Sequence, residues 1–172
     1  MNFAVSELRE MERLGLLRKL TTSSSTVLNF SSNDYLNLSG HPHVKECSIK
    51  AVETYGTGAG GSRLMTGNLP LHEELEERLA ELAGMEGALV YGSGFLANIG
   101  VTGALAGRND VIFADRLNHA SLVDGAAGSR ARVKRYRHKD TEHLEEILSD
   151  DTCIGKRIIV TDSLFSMDGD IA

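Results

Sequence analysis

The most specific chemical signal in the sequence is a glycine-rich turn between an apolar run and an apolar helix. The run at residues 88–91 predicts a buried strand, residues 92–95 are Gly-Ser-Gly-Phe, and residues 95–106 predict a helix. Backbone N–H groups in the first turn of a helix lack intrahelical partners, and the helix dipole places partial positive charge there. The backbone at Gly94 and Phe95 is therefore a candidate phosphate site. A plain tight turn is the alternative, since one Gly-x-Gly pattern has low specificity.

A second candidate is His119, which follows the predicted strand at residues 110–114. In an open α/β sheet, ligands bind outside the carboxyl ends of the strands, so His119 is expected on the same rim as the glycine-rich turn. A flat imidazole there could stack on an aromatic ring or transfer a proton near neutral pH. In the alternative interpretation, Asn118 or Ser121 caps the next helix and His119 is an exposed residue without a ligand.

A third group of polar residues follows the predicted strand at residues 157–161. Asp162 and Ser166 are expected at its carboxyl end, where they could bind polar atoms of a ligand. The alternative is that residues 168–169 only form a turn and that Asp170 is a solvated carboxylate. Three strand ends therefore converge on one predicted rim.

These candidates require a mainly parallel sheet with helices on both faces. The second half of the chain fits this α/β class, because short apolar runs alternate there with helical segments. The strands are predicted at 88–91, 110–114, 131–136 and 157–161, and the helices at 95–106, 119–128 and 141–149. Since the 95–106 helix is apolar almost all round, we expect it to be buried on more than one side.

The first half of the chain has a different organisation. It predicts, in chain order, an amphipathic helix over 5–20, a short strand over 27–30, a helix after Pro42, a glycine-rich loop over 55–68 and a helix from Asn68 and Pro70 to Gly84. The loop follows from the entropic cost of glycine, about 0.5–1 kcal/mol per residue inside a helix or strand.

A strongly basic run lies over the predicted strand at residues 131–136 and its flanks. Its charged residues are Arg130, Arg132, Lys134, Arg135, Arg137 and Lys139, with His138 among them. Alternation on a strand spreads these charges over both faces. We interpret the run as a solvated edge strand, because positive residues on an edge block pairing with other chains. Binding of the phosphate groups of coenzyme A is the alternative.

Composition limits the possible functions. With 172 residues the chain fits one domain or part of a larger one, and a formal charge of −6 argues against nucleic acid as the main partner. Cys47 and Cys153 are far apart and in no metal or redox spacing, so we predict a reduced interior and no metal site. Residues 1–15 carry charges throughout, and no apolar stretch reaches membrane length. We expect a soluble, cytoplasmic protein without a membrane partner.

Five motifs in order resemble the α-oxoamine synthases, which are pyridoxal-phosphate enzymes of the aspartate-aminotransferase fold, fold type I. They are NFSSNDYL at 29–36, GTGAGGSR at 56–63, YGSGFLAN at 91–98, DRLNHAS at 115–121 and FSMDGD at 165–170. The resemblance implies that residues 46–172 are an incomplete major domain of this α/β fold, preceded by a helix and strand segment at residues 1–45. Residues 92–95 and 115–121 are most similar to the members that act in biotin biosynthesis.

The resemblance also assigns roles to individual residues. The matched positions are the backbone of Gly94 and Phe95 for the cofactor phosphate, His119 for stacking on the pyridine ring and for catalysis, Asp162 for the acidic position at the cofactor, Ser166 for the phenolic oxygen, Asn33 for the substrate carboxylate and Arg18 for the acyl substrate. Because that family places its active site between two subunits, we expect a homodimer.

The implied activity is a decarboxylative condensation of L-alanine with a pimeloyl thioester of coenzyme A or acyl carrier protein, which gives 8-amino-7-oxononanoate. Family members carry a Schiff-base lysine in a motif that the lysines of this chain do not fit; these are Lys19, Lys45, Lys50, Lys134, Lys139 and Lys156. We therefore expect an N-terminal part of the enzyme that is inactive alone. One alternative is glycine C-acetyltransferase (2-amino-3-ketobutyrate CoA ligase) activity. Another is a short, non-enzymatic protein that binds a phosphorylated metabolite.

Overall fold

The computed structural model describes residues 2–20, 22 and 28–172. The chain divides into two compact units, Met1–Gly58 and Ala59–Ala172. The predicted boundary after residue 45 falls inside a helix of the first unit, Pro42–Tyr55, and that domain assignment stays a prediction. Within the described residues, no helix combines the length and the apolar character that a membrane crossing needs.

The first unit contains two α-helices, α1 (Asn2–Arg13) and α2 (Pro42–Tyr55), with a short 3-10 helix, Leu38–Gly40, before α2. The prediction of a helix over residues 5–20 is wrong at its carboxyl end. The chain turns away after α1 at Gly15, which has a φ of +69°. A glycine in the left-handed conformation commonly ends a helix, because other residues enter this conformation at a cost.

The predicted strand at residues 27–30 is wrong for its described part. Val27 lies outside the described residues, and the backbone from Leu28 to Phe30 is irregular. The side-chain oxygen of Asn29 accepts a hydrogen bond from the Ser31 N–H (2.9 Å). This is an Asx turn, which satisfies a backbone donor locally and bends the chain where a strand would extend it.

The second unit is an α/β structure, as predicted. Its helices are α3 (Pro70–Ala83), α4 (Gly94–Leu105), α5 (Ala120–Gly128) and α6 (Thr141–Ser149). Its strands are β1 (Val111–Asp115), β2 (Arg132–Tyr136), β3 (Arg157–Val160), β4 (Leu164–Phe165) and β5 (Asp170–Ile171).

Strands β1, β2 and β3 form a parallel sheet in the order β2-β1-β3, and β4 and β5 form an antiparallel hairpin. Helix α5 connects β1 to β2, and α6 connects β2 back across β1 to β3. Since crossovers between parallel strands are right-handed, two crossovers that run in opposite directions place their helices on opposite faces. The carboxyl ends of the three strands meet at one edge of the sheet.

The core of this unit lies around β1, whose residues are all buried. Ile112 and Ala114 of β1 pack with Ala106 and Ala126, which come from the end of α4 and from α5. A central strand needs apolar side chains on both faces, because helices cover both. The continuous apolar run of β1 follows from this position.

A carboxylate ties the amino ends of β1 and β3. Asp110, just before β1, accepts hydrogen bonds from the N–H groups of Lys156 (2.7 Å) and Gly107 (2.8 Å). These two bonds hold the pKa of Asp110 below its ordinary value. The ionised side chain therefore positions the segment that enters β3.

The predicted strand at residues 88–91 is wrong: this segment is irregular and pairs with no strand among the described residues. The Val90 N–H donates to Glu76 Oε1 (2.7 Å), and the Val90 carbonyl accepts from Arg63 Nη1 (3.4 Å). Side chains thus take up the backbone groups that a sheet ladder would use. Leu89 is 65% exposed, so the segment is also not buried as predicted.

Helix α4 is less buried than its apolar sequence predicts. Leu96, Val101 and Leu105 are each about half exposed. The helix packs closely on α5, where a Cβ added to Gly125 would lie 3.0 Å from the Asn98 carbonyl oxygen. The prediction that α4 is buried on more than one side is therefore wrong for this structure.

Candidate functional site

The carboxyl edge of the sheet opens into a cleft of about 290 Å³. Its lining comes from α4, the β1–α5 turn, the end of β3 and the β4–β5 hairpin; the residues are Asn98, Leu117 to Ala120, Asp162 and Leu164 to Asp168. The cleft thus brings together His119, Asp162 and Ser166, which the sequence predicts on one rim. Among the described residues, no three His, Cys, Asp or Glu side chains are grouped to hold a metal ion.

Asn118 joins the ends of β1 and β3. Its side chain is buried; its Nδ2 donates to the Val160 carbonyl (2.8 Å), and its Oδ1 accepts from the Asp162 N–H (3.1 Å). An asparagine amide can do this because it carries both a donor and an acceptor. One alternative interpretation makes Asn118 the cap of α5, and the structure contradicts it. The Asn118 side chain instead holds the two strand ends side by side.

His119 is the N-cap of α5. Its Nδ1 accepts a hydrogen bond from the Ser121 N–H (3.2 Å) and lies 2.7 Å from the Ser121 hydroxyl oxygen. Its backbone N–H donates to Asp162 Oδ2 (2.7 Å). Ser121 is fully buried and also accepts a hydrogen bond from Asn98 Nδ2 (2.9 Å). The imidazole is therefore held through one ring nitrogen while it lines the cleft.

Ser166 lies in the tight turn between β4 and β5. The Gly169 N–H donates to the Phe165 carbonyl (2.7 Å), and Gly169 has a φ of +73°, which favours glycine. Phe165 is buried below the turn, whereas Ser166 is exposed. The alternative of a solvated Asp170 is wrong, because Asp170 Oδ2 lies 3.1 Å from His138 Nε2.

The glycine-rich turn forms the start of α4. Ser93 is the N-cap, and its hydroxyl accepts from the Leu96 N–H (3.2 Å). Among the described residues, the N–H groups of Gly94 and Phe95 have no hydrogen-bond acceptor, as expected for the first turn of a helix. Gly94 and Phe95 do not line the cleft themselves; α4 reaches it through Asn98, one turn further on.

The two predicted substrate residues, Arg18 and Asn33, lie in the first unit and are exposed. Beside Asn33, the Asp34 carboxylate accepts from the Ser39 hydroxyl (2.5 Å) and from the Leu38 N–H (2.8 Å). The Ser39 hydrogen bond is the main reason why the pKa of Asp34 is lowered. The roles of Arg18 and Asn33 stay predictions.

Comparison with known families gives this arrangement a context. A model of the family described as aminotransferase class I and II matches residues 25–172. The chain belongs to this family.

Two similar curated proteins carry the same name. The 8-amino-7-oxononanoate synthase of Geobacter sulfurreducens is 49% identical over 177 residues, which cover 96% of this chain and 45% of that protein. The protein of the same name from Thermoanaerobacter pseudethanolicus is 44% identical, and the matched segment covers 100% of this chain and 47% of that protein. The chain thus spans about half the length of the curated relatives it matches.

Solved structures confirm fold type I for this aminotransferase-family chain. A serine palmitoyltransferase variant from S. paucimobilis with a bound PLP–myriocin aldimine has a TM-score of 0.86 and 27% identity, over 98% of this chain and 47% of that one. The 8-amino-7-oxononanoate synthase from Francisella tularensis has a TM-score of 0.69 and 30% identity, over 86% of this chain and 40% of that one.

An ion pair that is not predictable from the sequence organises the glycine-rich loop of this aminotransferase-family chain. Arg63, the last residue of the 56–63 motif, forms two parallel bonds to Glu76 of α3 (2.6 and 2.8 Å). The Arg63 bonds, followed by the Val90 N–H, lower the pKa of Glu76 to about 2. The pair thereby joins the loop, α3 and the segment that leads into α4. A glutamate on the polar face of a helix carries no sequence signal for such a pairing.

Several residues of the basic run contact the chain's own carboxylates. Arg132 and Lys134 of β2 contact Asp151 (3.3 and 2.9 Å), and Arg137 contacts Asp140 (2.6 Å). The Lys134 ammonium, 2.9 Å from Oδ2, is the main cause that lowers the pKa of Asp151 although the Asp151 side chain is buried. Since β2 also lies at the edge of the three-stranded sheet, these contacts favour the edge-strand interpretation over a coenzyme A site.

Proposed function

We propose that the cleft of the second unit binds pyridoxal 5′-phosphate. The observation that carries the proposal is the hydrogen-bonded set of Asn118, His119 and Asp162, which holds an imidazole and a carboxylate beside the Ser166 turn. A pyridine ring needs a flat partner for its face and polar groups for its edge, and this set offers both. A solved relative, the serine palmitoyltransferase variant, carries this cofactor as an aldimine.

The start of α4 would hold the cofactor phosphate. The N–H groups of Gly94 and Phe95 are available there, and the twelve-residue helix directs its positive end toward them. The backbone is also open to an anion, because a Cβ built on Gly94 would meet no atom within 4 Å. The residues present therefore fit a phosphate group.

The remaining residues would hold the ring. His119 would stack on its face, the Ser166 hydroxyl would donate to its phenolic oxygen, and Asp162 would keep the His119 backbone in place through the bond it already makes. When bound, the cofactor supplies an electron sink for an amino-acid substrate. His119 Nε2 is the nitrogen left to hold or move a proton, because Nδ1 is engaged by Ser121.

We further propose the decarboxylative condensation of L-alanine with a pimeloyl thioester to 8-amino-7-oxononanoate. The support is the identity to synthases of that name, which reaches 53%. Asn33 would bind the substrate carboxylate and Arg18 the acyl donor. Among the described residues of the second unit, Lys134, Lys139 and Lys156 do not line the cleft, so we propose that the 172-residue chain has no turnover alone. The homodimer and the cytoplasmic location stay predictions.

Cofactor binding is tested by equilibrium dialysis of the 172-residue chain with pyridoxal 5′-phosphate. We expect His119→Ala to weaken binding about twofold to tenfold, because ring stacking contributes about 0.5–1.5 kcal/mol. His43→Ala is the matched control, since His43 is exposed on α2. Pyridoxal without the phosphate should bind at least about tenfold more weakly. Equal binding of the two ligands, or of the two variants, would contradict the proposal.

The reaction is tested in a chimera that joins residues 1–172 to the carboxyl-terminal part of the Geobacter sulfurreducens relative. We expect the chimera to convert L-alanine and pimeloyl-CoA, His119→Ala to abolish this activity, and the 172-residue chain alone to release no CO₂. Faster turnover of glycine with acetyl-CoA would favour the acetyltransferase alternative. Turnover by the 172-residue chain alone would refute the proposal that this chain is inactive because none of its described lysines lines the cleft.

A further inference from the structure

A partly buried histidine outside the cleft connects two elements that form it. His138 follows β2, and its side chain is 16% exposed. Its Nδ1 lies 3.0 and 3.1 Å from the two carboxylate oxygens of Asp115, and its Nε2 lies 3.1 Å from Asp170 Oδ2. The ring also packs edge-on against Phe165, with the ring centroids 4.4 Å apart. His138 thus bridges the end of β1 and the β4–β5 hairpin.

The Asp115 side of this bridge shapes the turn that carries His119. Asp115 is the last residue of β1, and its side chain is 1% exposed. Besides His138, it accepts hydrogen bonds from the N–H groups of Leu117 (2.8 Å) and Lys139 (3.1 Å). A buried carboxylate with this many donors is rigidly placed, so the His138 ring has a fixed anchor on the rim.

The Asp170 side of the bridge holds the hairpin that carries Ser166. Asp170 of β5 is paired with Phe165 of β4, the residue that precedes Ser166. Its Oδ2 also lies 3.3 Å from Lys139 Nζ. The hairpin has only two residues in each strand, so side-chain contacts of this kind decide where it sits.

Both ring nitrogens of His138 face carboxylate oxygens, which only accept hydrogen bonds. A neutral imidazole has one donor, whereas the imidazolium has two, so this arrangement fits the protonated ring. Burial lowers the pKa of His138, but the hydrogen bonds and charges of Asp115 and Asp170 outweigh it and raise the pKa above its ordinary value. The charged groups around the ring are these two aspartates and Lys139, while β4 contributes the uncharged Phe165.

We propose that protonated His138 is a positioning residue that holds the β4–β5 hairpin, and with it Ser166, against the β1 rim that carries His119. When the ring loses its proton, one nitrogen becomes an acceptor that faces a carboxylate, and the hairpin is released. The attachment of the hairpin stands on the geometry alone. Its consequence for the cofactor, the spacing of Ser166 and His119, rests on the proposed function.

The test is amide hydrogen exchange, followed by NMR in the ligand-free 172-residue chain. The Gly169 and Ala172 N–H groups report on the hairpin, and the Val111 N–H, bonded to the carbonyl before β3, reports on the sheet. After correction for intrinsic base catalysis, hairpin protection should fall about tenfold as the His138 ring deprotonates, at a pH above the ordinary histidine pKa of about 6.5, while Val111 keeps its protection. Asp170→Asn should lower the pKa of the His138 ring in the same spectra.

Two substitutions separate the two sides of the bridge. His138→Asn keeps a donor near the Nδ1 position toward Asp115, and His138→Gln extends one toward Asp170. We expect His138→Gln to retain hairpin protection within about threefold and without pH dependence, and His138→Asn to lose about tenfold. The wild-type titration needs no variant to fold. Two results would overturn the proposal. One is hairpin protection that does not change when the His138 ring deprotonates, and the other is equal hairpin protection in His138→Asn and His138→Gln.

Dialysis with pyridoxal 5′-phosphate distinguishes this proposal from the proposed function. If the hairpin follows the charge of His138 but the cofactor does not bind, the proposed function fails and the positioning role stands. If the cofactor binds while the hairpin is indifferent to His138, the positioning role fails alone.

Discussion

Replacing Asn118 by alanine should loosen the carboxyl edge of the sheet. The residue is 7% exposed and bonds two backbone groups at the end of β3, the Val160 carbonyl and the Asp162 N–H. A buried backbone group left without a partner costs about 1–3 kcal/mol. Because Asp162 lines the cleft and Val160 is only partly buried, water reaches both groups, and we take the lower part of this range for each. The free energy of unfolding should therefore fall by about 2–3 kcal/mol.

Urea unfolding followed by circular dichroism measures this loss. With a denaturant slope of about 2 kcal/mol per molar, the midpoint should fall by about 1–1.5 M. Asn118→Asp should not restore it, because the new carboxylate oxygen would face the Val160 carbonyl. Asn33→Ala is the control, since Asn33 is exposed and should change the stability by less than about 0.5 kcal/mol. A shift below about 0.3 M for Asn118→Ala, or wild-type stability of Asn118→Asp, would refute the reasoning.

Gly125→Ala should lower the free energy of unfolding by about 1–3 kcal/mol, because its Cβ would lie 3.0 Å from the α4 backbone, whereas Gly128→Ala has open space and should not; thermal unfolding compares the two. The pKa of Glu76 is lowered from 4.5 to about 2 by Arg63, so the pair stabilises the fold above about pH 4.5 and this contribution is lost as the pH falls toward 2. Urea midpoints should therefore fall more steeply on acidification in the wild type than in Glu76→Gln; equal slopes would contradict this. Ser166→Ala should weaken pyridoxal 5′-phosphate binding about threefold to tenfold in calorimetry and leave the thermal midpoint unchanged.

The sequence predicts those elements whose ends are set by residues at or next to those ends. Helix α6 is predicted at residues 141–149 and observed at Thr141–Ser149, because Asp140 caps it by accepting the His143 N–H (2.8 Å). Helix α3 ends at a glycine, Gly84, which has a φ of +65°. The convergence of His119 and Asp162 is predictable for a related reason, since parallel strands all end at the same edge.

Pairings between distant segments are not predictable from local patterns. The apolar run at residues 88–91 has the composition of a strand, yet both backbone groups of Val90 are taken by side chains. His138 lies in a basic run that suggests a solvated face, whereas its partners are 23 and 32 residues away along the chain. The bridge made by Asn118 spans 42 residues to Val160 and likewise has no local signal.

A polar side chain joins β1 and β3 at each end of the parallel sheet. Asp110 does so at the amino ends of the strands and Asn118 at the carboxyl ends. Of these two residues, Asn118 lines the cleft and Asp110 does not, so substitutions at the two positions should have different effects. Substitutions around Asp110 should change the thermal stability of the sheet without changing the residues that line the cleft. A substitution at Asn118 would change both the stability of the sheet and the shape of the cleft. Substitutions meant to change stability alone should therefore be made near Asp110, at the amino ends of the strands.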